Sequence, residues 1–326
     1  MADSKTESRK ALSIYGKKEI KKLHNPMDLQ DVVFLNIQKA SELDIDFFVF
    51  KSVKELWINS KGPYQIPDSF LKLEQLDKLI LNENCILPEN IHLLENLQEL
   101  WMKGKGILNP PSNIVNLKSL KKLNISYYDD NIEPCPIPEW IFGMTQVEKI
   151  RFSVCRFSVI SEKINQLKNL IDLDFGCSFS DLETFPDLSG LTNLKRLIAS
   201  GKSVQGQKLP PYSLFPQVLE GAKNLVGLEH LDLSDWRPKK KSEWLFAGNN
   251  KNSIPDIFDR YPALIELILS GMKLDFVPST ILNLKNLTHL QLNQNKLDND
   301  EITRGIQHLP YCIIDSDVVH YRPKRK

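Results

Sequence analysis

The sequence lacks several features that define whole classes of protein. It contains no apolar run of transmembrane length, and its first residues lack the apolar core of a secretory signal peptide. Five cysteines are present, an odd number, and no two of them form a Cys-x-x-Cys pair. We therefore expect reduced thiols, a cytoplasmic location and no association with a membrane.

Signals of catalysis are equally scarce. No glycine-rich phosphate loop follows a predicted strand, and the sequence shows no grouping typical of a Ser–His–Asp or Cys–His site. Nothing marks Cys155 or Cys177 as an activated thiolate. We expect a protein without enzymatic activity, bound metal or cofactor.

A strong charge imbalance is also missing. The chain has 42 lysines and arginines against 41 aspartates and glutamates, a net charge of +1. Such a balance creates no global attraction to nucleic acid or to an anionic membrane. With 41% apolar residues, the composition is that of an ordinary globular protein.

The sequence does contain one motif that recurs about every 23 residues. Each copy has an L-x-x-L-x-L segment that predicts a strand, then a loop, a proline and an amphipathic stretch. Such a period indicates stacked repeats, none of which can bury its apolar face alone. The first apolar residues of the eleven predicted strands are Val32, Val53, Leu76, Leu97, Leu120, Val147, Leu170, Leu194, Leu228, Leu264 and Leu287.

A proline marks the return half of most repeats, nine residues before the next strand begins. It suits the first turn of a short helix, where its missing N–H is not needed. Because this distance is nearly fixed, most of the variation in repeat length must lie between the strand and the proline. The variable loops are therefore expected on one rim of the stacked repeats. The eighth repeat is different, because its extra residues follow Pro210 and predict a longer helix. The marker prolines are Pro67, Pro88, Pro111, Pro138, Pro255 and Pro278.

These residues resemble leucine-rich repeat proteins, specifically the type with about 23 residues and the pattern I/L-P-x-x-I-x-x-L found in bacterial intracellular members. The resemblance implies an α/β repeat solenoid, a curved horseshoe with a parallel β-sheet on the concave face and short helices or irregular segments on the convex face. It also implies binding of other macromolecules, without identifying a partner. The asparagine that follows each strand in the family survives at Asn84 and Asn295. Elsewhere it is replaced, by Trp236 for example, so we expect looser turns there.

The chain divides into three predicted segments. Residues 1–31 are expected to form a helical cap, because Ser8 to Leu23 has the pattern of a basic amphipathic helix. Residues 32–309 are expected to form a solenoid of about eleven repeats, and residues 310–326 a closing strand with a basic tail. Caps are needed because a bare terminal repeat exposes apolar core and a sheet edge.

The outward positions of the strands predict a binding surface. The x residues of L-x-x-L-x-L point away from the core. The x between the last two apolar residues is Trp57, Ile80 and Trp101 in three successive repeats. Strands about 4.8 Å apart would place the two tryptophans about 10 Å apart around Ile80. Trp and Arg are typical of binding hot spots, and Arg151 lies further along the column. The alternative is that the N-terminal segment covers the cluster.

Two insertions on the rim add aromatic residues. The fifth repeat carries Tyr127 and Tyr128, and the ninth carries Trp236 and Trp244 on either side of a run of lysines. A passive connector needs neither aromatic rings nor a basic cluster, so we predict that these loops contact the partner. The alternative for the ninth repeat is that its rings pack against the side of the solenoid.

Charged residues also follow the outward columns. They are first mostly basic and then acidic, which predicts either local ion pairs worth ~0–1 kcal/mol each or a partner with complementary charge. The residues are Lys121, Lys122, Lys149, Arg151, Asp172, Asp174, Lys195, Arg196, Glu229, Asp232, Asp235 and Glu266.

The favoured function is a non-catalytic protein–protein interaction module, acting as an adaptor, an inhibitor or a sensor. Two alternatives remain open at this point. One is the regulatory arm of an enzyme complex, such as a ubiquitin ligase or a GTPase system. The other is a nucleic-acid binder that uses the Lys/Arg patch, which we expect to be the less suitable partner class given the balanced charge.

Overall fold

The computed structural model describes residues 10–15, 29–82, 84–127, 133–203, 208–237, 254 and 256–323. They belong to two compact units. Unit 1 comprises Met1–Asp129 and Pro138–Val147, and unit 2 comprises Asp130–Ile137 and Glu148–Lys326.

Unit 1 is built on a parallel sheet with one strand in each repeat. Two further strands, β4 (Tyr64–Gln65) and β6 (Cys85–Ile86), form a small parallel pair of their own. The main strands, each paired in parallel with the next, are β1 (Ala11–Ile14), β2 (Phe34–Ile37), β3 (Glu55–Asn59), β5 (Lys78–Asn82), β7 (Glu99–Lys103) and β8 (Lys122–Ser126).

Unit 2 has the same construction. Its last strand, β16 (His320–Tyr321), pairs antiparallel with the strand before it. The parallel strands, in order, are β9 (Lys149–Ser153), β10 (Asp172–Asp174), β11 (Arg196–Ile198), β12 (His230–Asp232), β13 (Glu266–Ile268), β14 (His289–Gln291) and β15 (Ile313–Asp315). All eleven strands predicted from the repeated motif are therefore present, as β2, β3, β5 and β7 to β14.

The core follows from the register of the strands. In unit 1, Leu56, Leu79, Leu100 and Leu123 are directly paired in a single column, and each is 0% exposed. Unit 2 has an equivalent buried column that runs from Ile150 to Ile314. Successive side chains of a strand point to opposite faces, so the residues between these leucines must face the other side. The inward positions assigned from the sequence are confirmed.

The marker prolines open short 3-10 helices. Pro67, Pro111, Pro138 and Pro278 stand immediately before such helices, and Ser161 takes this place in the sixth repeat, where its hydroxyl accepts a hydrogen bond from the N–H of Lys163 at 3.2 Å. Pro255 lies outside the described residues. The 3-10 helices are Ala40–Glu42, Phe47–Val49, Asp68–Lys72, Ile91–Leu93, Lys105–Ile107, Ser112–Asn116, Glu139–Gly143, Glu162–Gln166, Tyr212–Leu214, Phe258–Arg260 and Ser279–Asn283.

The longer helix predicted for the eighth repeat is confirmed as α1 (Phe215–Ala222). It buries Phe215, Val218 and Leu219 on one face, as expected for an amphipathic helix that covers a core. Gly221 allows this close packing, since a Cβ atom there would lie 2.3 Å from the carbonyl oxygen of Pro186. A second helix, α2 (Asn299–His308), begins after Asp298, whose carboxylate accepts the N–H of Glu301 at 2.9 Å.

A side-chain hydrogen bond ties neighbouring repeats together behind the strands. Asn295 donates to the carbonyl of Leu269 at 2.9 Å and accepts the N–H of Met272 at 3.1 Å. Ser178 makes the equivalent pair of bonds to the preceding repeat. Its hydroxyl donates to the carbonyl of Phe152 and accepts the N–H of Cys155. The expectation of a looser turn is therefore wrong at Ser178, because a hydroxyl both donates and accepts and so replaces the asparagine amide.

The N-terminal segment differs from the prediction. Residues 11–14 form strand β1 at the edge of the sheet, where a helix was expected, and residues 16–28 lie outside the described part. Leu12 and Ile14 stand beside the buried Leu35 and Ile37, and the free edge of β2 offers unpaired backbone groups to such a segment. At the other end, β15 lies within the predicted closing segment. The single solenoid over residues 32–309 stays a prediction.

Replacing Leu123 with alanine should lower the free energy of unfolding by ~2–5 kcal/mol, because the change leaves a cavity in the leucine column. Its neighbour Lys122 provides the control, since its side chain is 50% exposed and Lys122→Ala removes no core packing. Urea unfolding of both variants measures the difference. Similar losses for the two would contradict the assignment of the strand faces.

Tyr261 should make the fold sensitive to alkali. Its ring is fully buried, burial raises the pKa of the phenol to about 12, and its hydroxyl has no hydrogen-bond partner among the described residues. In the unfolded chain the phenol ionises near its ordinary pKa of 10.0, so the contribution of neutral Tyr261 to stability is complete below that pH and falls as the pH rises towards 12.

Tyr261→Phe should therefore be at least as stable as the wild type at pH 8 and should lose less stability at alkaline pH. Chemical unfolding at both pH values measures this, with the exposed Tyr311 mutated to Phe as control. A variant that loses as much stability in alkali as the wild type would show that Tyr261 does not ionise on unfolding.

Candidate binding surface

The side of the unit 1 sheet opposite the leucine column is called here the open face. The strand register arranges its residues in columns, and one column holds Asn36, Trp57, Ile80, Trp101 and Asn124 side by side. The predicted juxtaposition of the two tryptophans around Ile80 is therefore present.

Each tryptophan is held by a glutamate on its own strand. The indole Nε1–H of Trp57 donates to Glu55 Oε1 at 2.8 Å, and that of Trp101 donates to Glu99 Oε1 at 2.5 Å. Lys78 lies between the two glutamates, with its Nζ 3.3 Å from Glu55 and 3.9 Å from Glu99. The two rings are thus fixed by one connected set of hydrogen bonds and ion pairs.

The rings also have defined neighbours. The Nζ of Lys78 lies 5.4 Å from the centroid of the Trp101 ring, within the range of a cation–π contact. Phe34 meets Trp57 edge to face with their centroids 5.6 Å apart. These contacts restrict both side chains further, so we name Glu55, Trp57, Lys78, Ile80, Glu99 and Trp101 the aromatic platform.

The members of the platform are not equally accessible. Trp101 is 37% exposed and Trp57 is half-buried, whereas Ile80 is only 6% exposed. The prediction that Ile80 itself offers contact area is therefore wrong, because its side chain is buried. Ile80 is the buried centre of the column, and Trp101 is the main accessible ring.

The N-terminal segment does not cover the platform where it is described. Strand β1 pairs with β2 in register, so that Ser13 stands beside Asn36. This places residues 11–14 in the sheet as one more strand, where they extend the open face. The alternative of an internal cover thus gains no support from these residues.

The sequence reasoning missed Glu55, Lys78 and Glu99 as members of the site. A signal for the glutamates was present, since both tryptophans occur in the triplet Glu-Leu-Trp. Residues two apart on a strand share a face, so each glutamate is within reach of the indole that follows it.

The outward face of unit 2 has a different character. Arg151 is half exposed, but its Nε lies 2.7 Å from Asp174 Oδ2, and Arg196 pairs with Asp172 at 3.0 Å. Lys195 pairs with Glu229 at 3.0 Å. These contacts favour the alternative of local ion pairs, in which exposed pairs contribute little to stability. Asp174 is almost fully buried and also accepts the N–H of Gly176, so Arg151 has a structural partner.

The two predicted rim residues that are described are both buried. Tyr127 is 3% exposed and Trp236 is 1% exposed, so neither can contact a partner in this structure. Tyr127 directly follows strand β8, and Trp236 lies in the turn after β12. Tyr128 and Trp244 lie outside the described residues.

Trp236 has a structural role instead. Its ring packs on Phe179 and Phe215, with centroids 5.8 and 5.6 Å away, and its Nε1–H donates to the carbonyl of Ala199 at 2.8 Å. Ala199 stands at the position in its repeat that Leu269 occupies in the tenth. The indole N–H therefore replaces the donor of the family's asparagine amide, and the prediction of a loose turn is also wrong here.

A groove of about 500 Å³ in unit 2 lies beside helix α1, and Phe185, Asp187, Glu220 and Lys223 are among the residues that line it. Its charged groups already have partners, since Asp187 accepts the N–H of Ser189 at 2.9 Å and Glu220 pairs with Lys223. The groove thus presents no catalytic grouping among the described residues.

The described residues contain no cluster of three or more His, Cys, Asp or Glu side chains that could hold a metal ion. All five cysteines are free thiols, and burial raises the pKa of Cys85 and of Cys312 to about 12. The helices of the described part are too short and too polar to cross a bilayer.

Comparison with known proteins gives the same fold. No family profile matches the chain. The human leucine-rich repeats and immunoglobulin-like domains protein 3 is 26% identical over 179 residues, which are 51% of this chain and 14% of the human protein. The chain therefore spans a small part of that relative.

Two solved structures extend the likeness to most of the chain. An internalin, InlF, from Listeria monocytogenes matches with a TM-score of 0.52 and 16% identity, over 90% of this chain and 82% of the internalin. A chain of the mouse RP105/MD-1 complex matches with a TM-score of 0.58 and 20% identity, over 88% of this chain and 46% of that one. At these identities the likeness concerns the fold.

The chain has the fold of leucine-rich repeat proteins, and the fold class predicted from its repeated strands is confirmed. Its assignment to the bacterial intracellular type of repeat stays a prediction.

Trp236→Phe should keep most of the ring packing and remove the hydrogen bond to Ala199, at a cost of ~1–3 kcal/mol in the free energy of unfolding. Trp101→Phe is the matched control, because Trp101 is exposed and its loss should change stability by less than ~0.5 kcal/mol. Urea unfolding compares the two. An unchanged stability of Trp236→Phe would show that the indole N–H does not replace the asparagine.

Proposed function

We propose that this protein is a non-catalytic binding module for another protein and that the aromatic platform of unit 1 is the centre of its binding site. The observation that carries the proposal is the fixed and exposed ring of Trp101, two strands from Trp57 on the same face. Leucine-rich repeat proteins generally mediate protein–protein interactions, and the match to a chain of the RP105/MD-1 complex supports this class of function.

The fixed geometry of the platform favours affinity. A flexible aromatic side chain loses rotamer freedom when a partner immobilises it, which costs about 0.5–1.5 kcal/mol for each side chain. Here Glu55 and Glu99 restrict the rings before any partner arrives. Tryptophan in such a setting is the residue most typical of a binding hot spot.

The ion pairs of unit 2 weigh against the nucleic-acid alternative. Arg151, Lys195 and Arg196 each lie within 3.0 Å of a carboxylate oxygen, so their charge is already compensated locally. Phosphate binding requires cations that can replace counterions, and a paired cation does this poorly. A protein partner remains the better candidate.

A cytoplasmic location is part of the proposal. It is supported by the five free thiols, because an oxidising compartment favours disulfides. Roles as adaptor, inhibitor or sensor all fit this arrangement. The regulatory arm of an enzyme complex is the second candidate, and it would use the same surface.

Affinity purification of the tagged protein from cells of its source, followed by mass spectrometry, tests the proposal. We expect a stoichiometric protein partner whose capture is strongly reduced by Trp101→Ala. Once that partner is purified, Trp101→Ala should weaken its affinity about 30-fold, which corresponds to the ~2 kcal/mol typical of a hot spot.

Leu93→Ala is the matched control, since Leu93 is a 54% exposed apolar residue of unit 1 that lies in a 3-10 helix away from the open face. Its partner capture should equal that of the wild type. A partner that binds Trp101→Ala and the wild type equally well would place the binding site elsewhere on the molecule.

A further inference from the structure

We propose that the aromatic platform takes up an uncharged apolar side chain of its protein partner and that Lys78 is the residue that excludes a cationic one. This inference rests on the proposed function and specifies the chemistry that Trp101 recognises. It is carried by the contacts that the charged groups of the platform make with one another and with the two indoles.

The charged residues beside the rings form one column in which the signs alternate. The strand register places Glu55, Lys78, Glu99 and Lys122 directly side by side. The Nζ of Lys78 lies 3.3 Å from Glu55 and 3.9 Å from Glu99, and that of Lys122 lies 3.7 Å from Glu99. Two lysines thus balance two glutamates, so this column offers no net attraction to a partner of either sign.

A charged side chain brought onto Trp101 would therefore arrive without an opposite charge reserved for it. Burying a charge costs free energy unless the charge is paired. A carboxylate would compete with Glu99 for Lys122, and an ammonium group would compete with Lys78 for both glutamates. An apolar side chain avoids both costs. It gains contact area on the ring while the indole N–H groups keep their bonds to the glutamates.

Lys78 determines the preference against cations, because it already occupies the position that a cation would take. Its Nζ lies over the Trp101 ring, 5.4 Å from the centroid. An indole face beside carboxylates attracts an ammonium or guanidinium group. Without Lys78, a single lysine of this column, Lys122, would face two glutamates, and the same surface would favour a cationic side chain.

The surroundings of Lys78 hold it in this position. Only 27% of its side chain is exposed, against 50% for Lys122. A cation from a partner would have to displace Lys78 from two carboxylates and an aromatic ring at once. The exclusion of cations is therefore stronger than the repulsion by one exposed lysine, which solvent and salt would screen.

Selection from a displayed library of random peptides tests this inference. The full-length protein is the target, and peptides that also bind Trp101→Ala are removed. We expect the retained peptides to share an aromatic or aliphatic anchor residue whose replacement by alanine abolishes binding, with no lysine, arginine, aspartate or glutamate at that position. Because the anchor forms no ion pair, the affinity of such a peptide should change little between low and high salt.

Lys78→Met measures the role of the lysine, since it keeps an unbranched side chain and removes the charge. Two synthetic peptides are compared that share a selected sequence and carry either methionine or lysine at the anchor position. The wild type should bind the methionine peptide at least about tenfold more tightly than the lysine peptide. Lys78→Met should reduce this preference about tenfold, because its two glutamates can then pair with the ammonium group of the peptide.

Lys122→Met is the matched control. It removes the same charge from the same column, but from an exposed side chain that pairs with Glu99 alone among the platform residues. Its preference for the methionine peptide should stay within about threefold of the wild type, as expected for an exposed ion pair. Lys78→Arg should retain the preference, because a cation still stands between the glutamates. Circular dichroism and thermal melts verify that each variant is folded.

The outcomes separate this inference from the proposed function. A charged anchor residue in the retained peptides would overturn the apolar chemistry while leaving Trp101 as the centre of the site. An unchanged preference in Lys78→Met, or an equal change in Lys122→Met, would overturn the role of Lys78. If no peptide distinguishes the wild type from Trp101→Ala, uptake of an apolar side chain is overturned as well. The proposed function is then decided by capture of a whole protein partner, which involves no peptide.

Discussion

The parallel, in-register pairing of one strand per repeat is the constraint on which the other features depend. It brings the same position of each repeat into one column, so that Leu56, Leu79, Leu100 and Leu123 form a continuous core in unit 1. No single repeat could bury these leucines alone. The same pairing fixes what stands on the opposite face, because side chains alternate along every strand.

The open face of unit 1 shows how this constraint creates a potential binding site. A glutamate two residues before each tryptophan lies on the same face, and the register then inserts Lys78 between the two glutamates. The result is a pair of indoles restricted by their own neighbours rather than by a partner. Preorganisation of this kind reduces the entropy lost on binding.

Trp101 and Trp236 illustrate how position decides the role of one residue type. Trp101 follows a strand leucine and faces outward, where its N–H is bound by Glu99. Trp236 occupies the turn after β12, where the backbone of the preceding repeat presents the carbonyl of Ala199. A buried carbonyl without a partner is costly, so the indole N–H that satisfies it contributes to stability. Composition alone would assign both rings to a surface.

The sequence by itself determined the eleven strands, the residues that face the core and the Trp57–Trp101 column, because these depend on a local period of two within a longer repeat. It also indicated the short helices after the prolines and the longer helix α1, for which local backbone preferences are sufficient. Tertiary structure alone decided that residues 11–14 add a strand, that Trp236 is buried and that Ile80 is covered. Each of these outcomes depends on a neighbouring repeat that offers a free sheet edge, an unpaired carbonyl or a covering side chain, and none of these is visible in the local sequence.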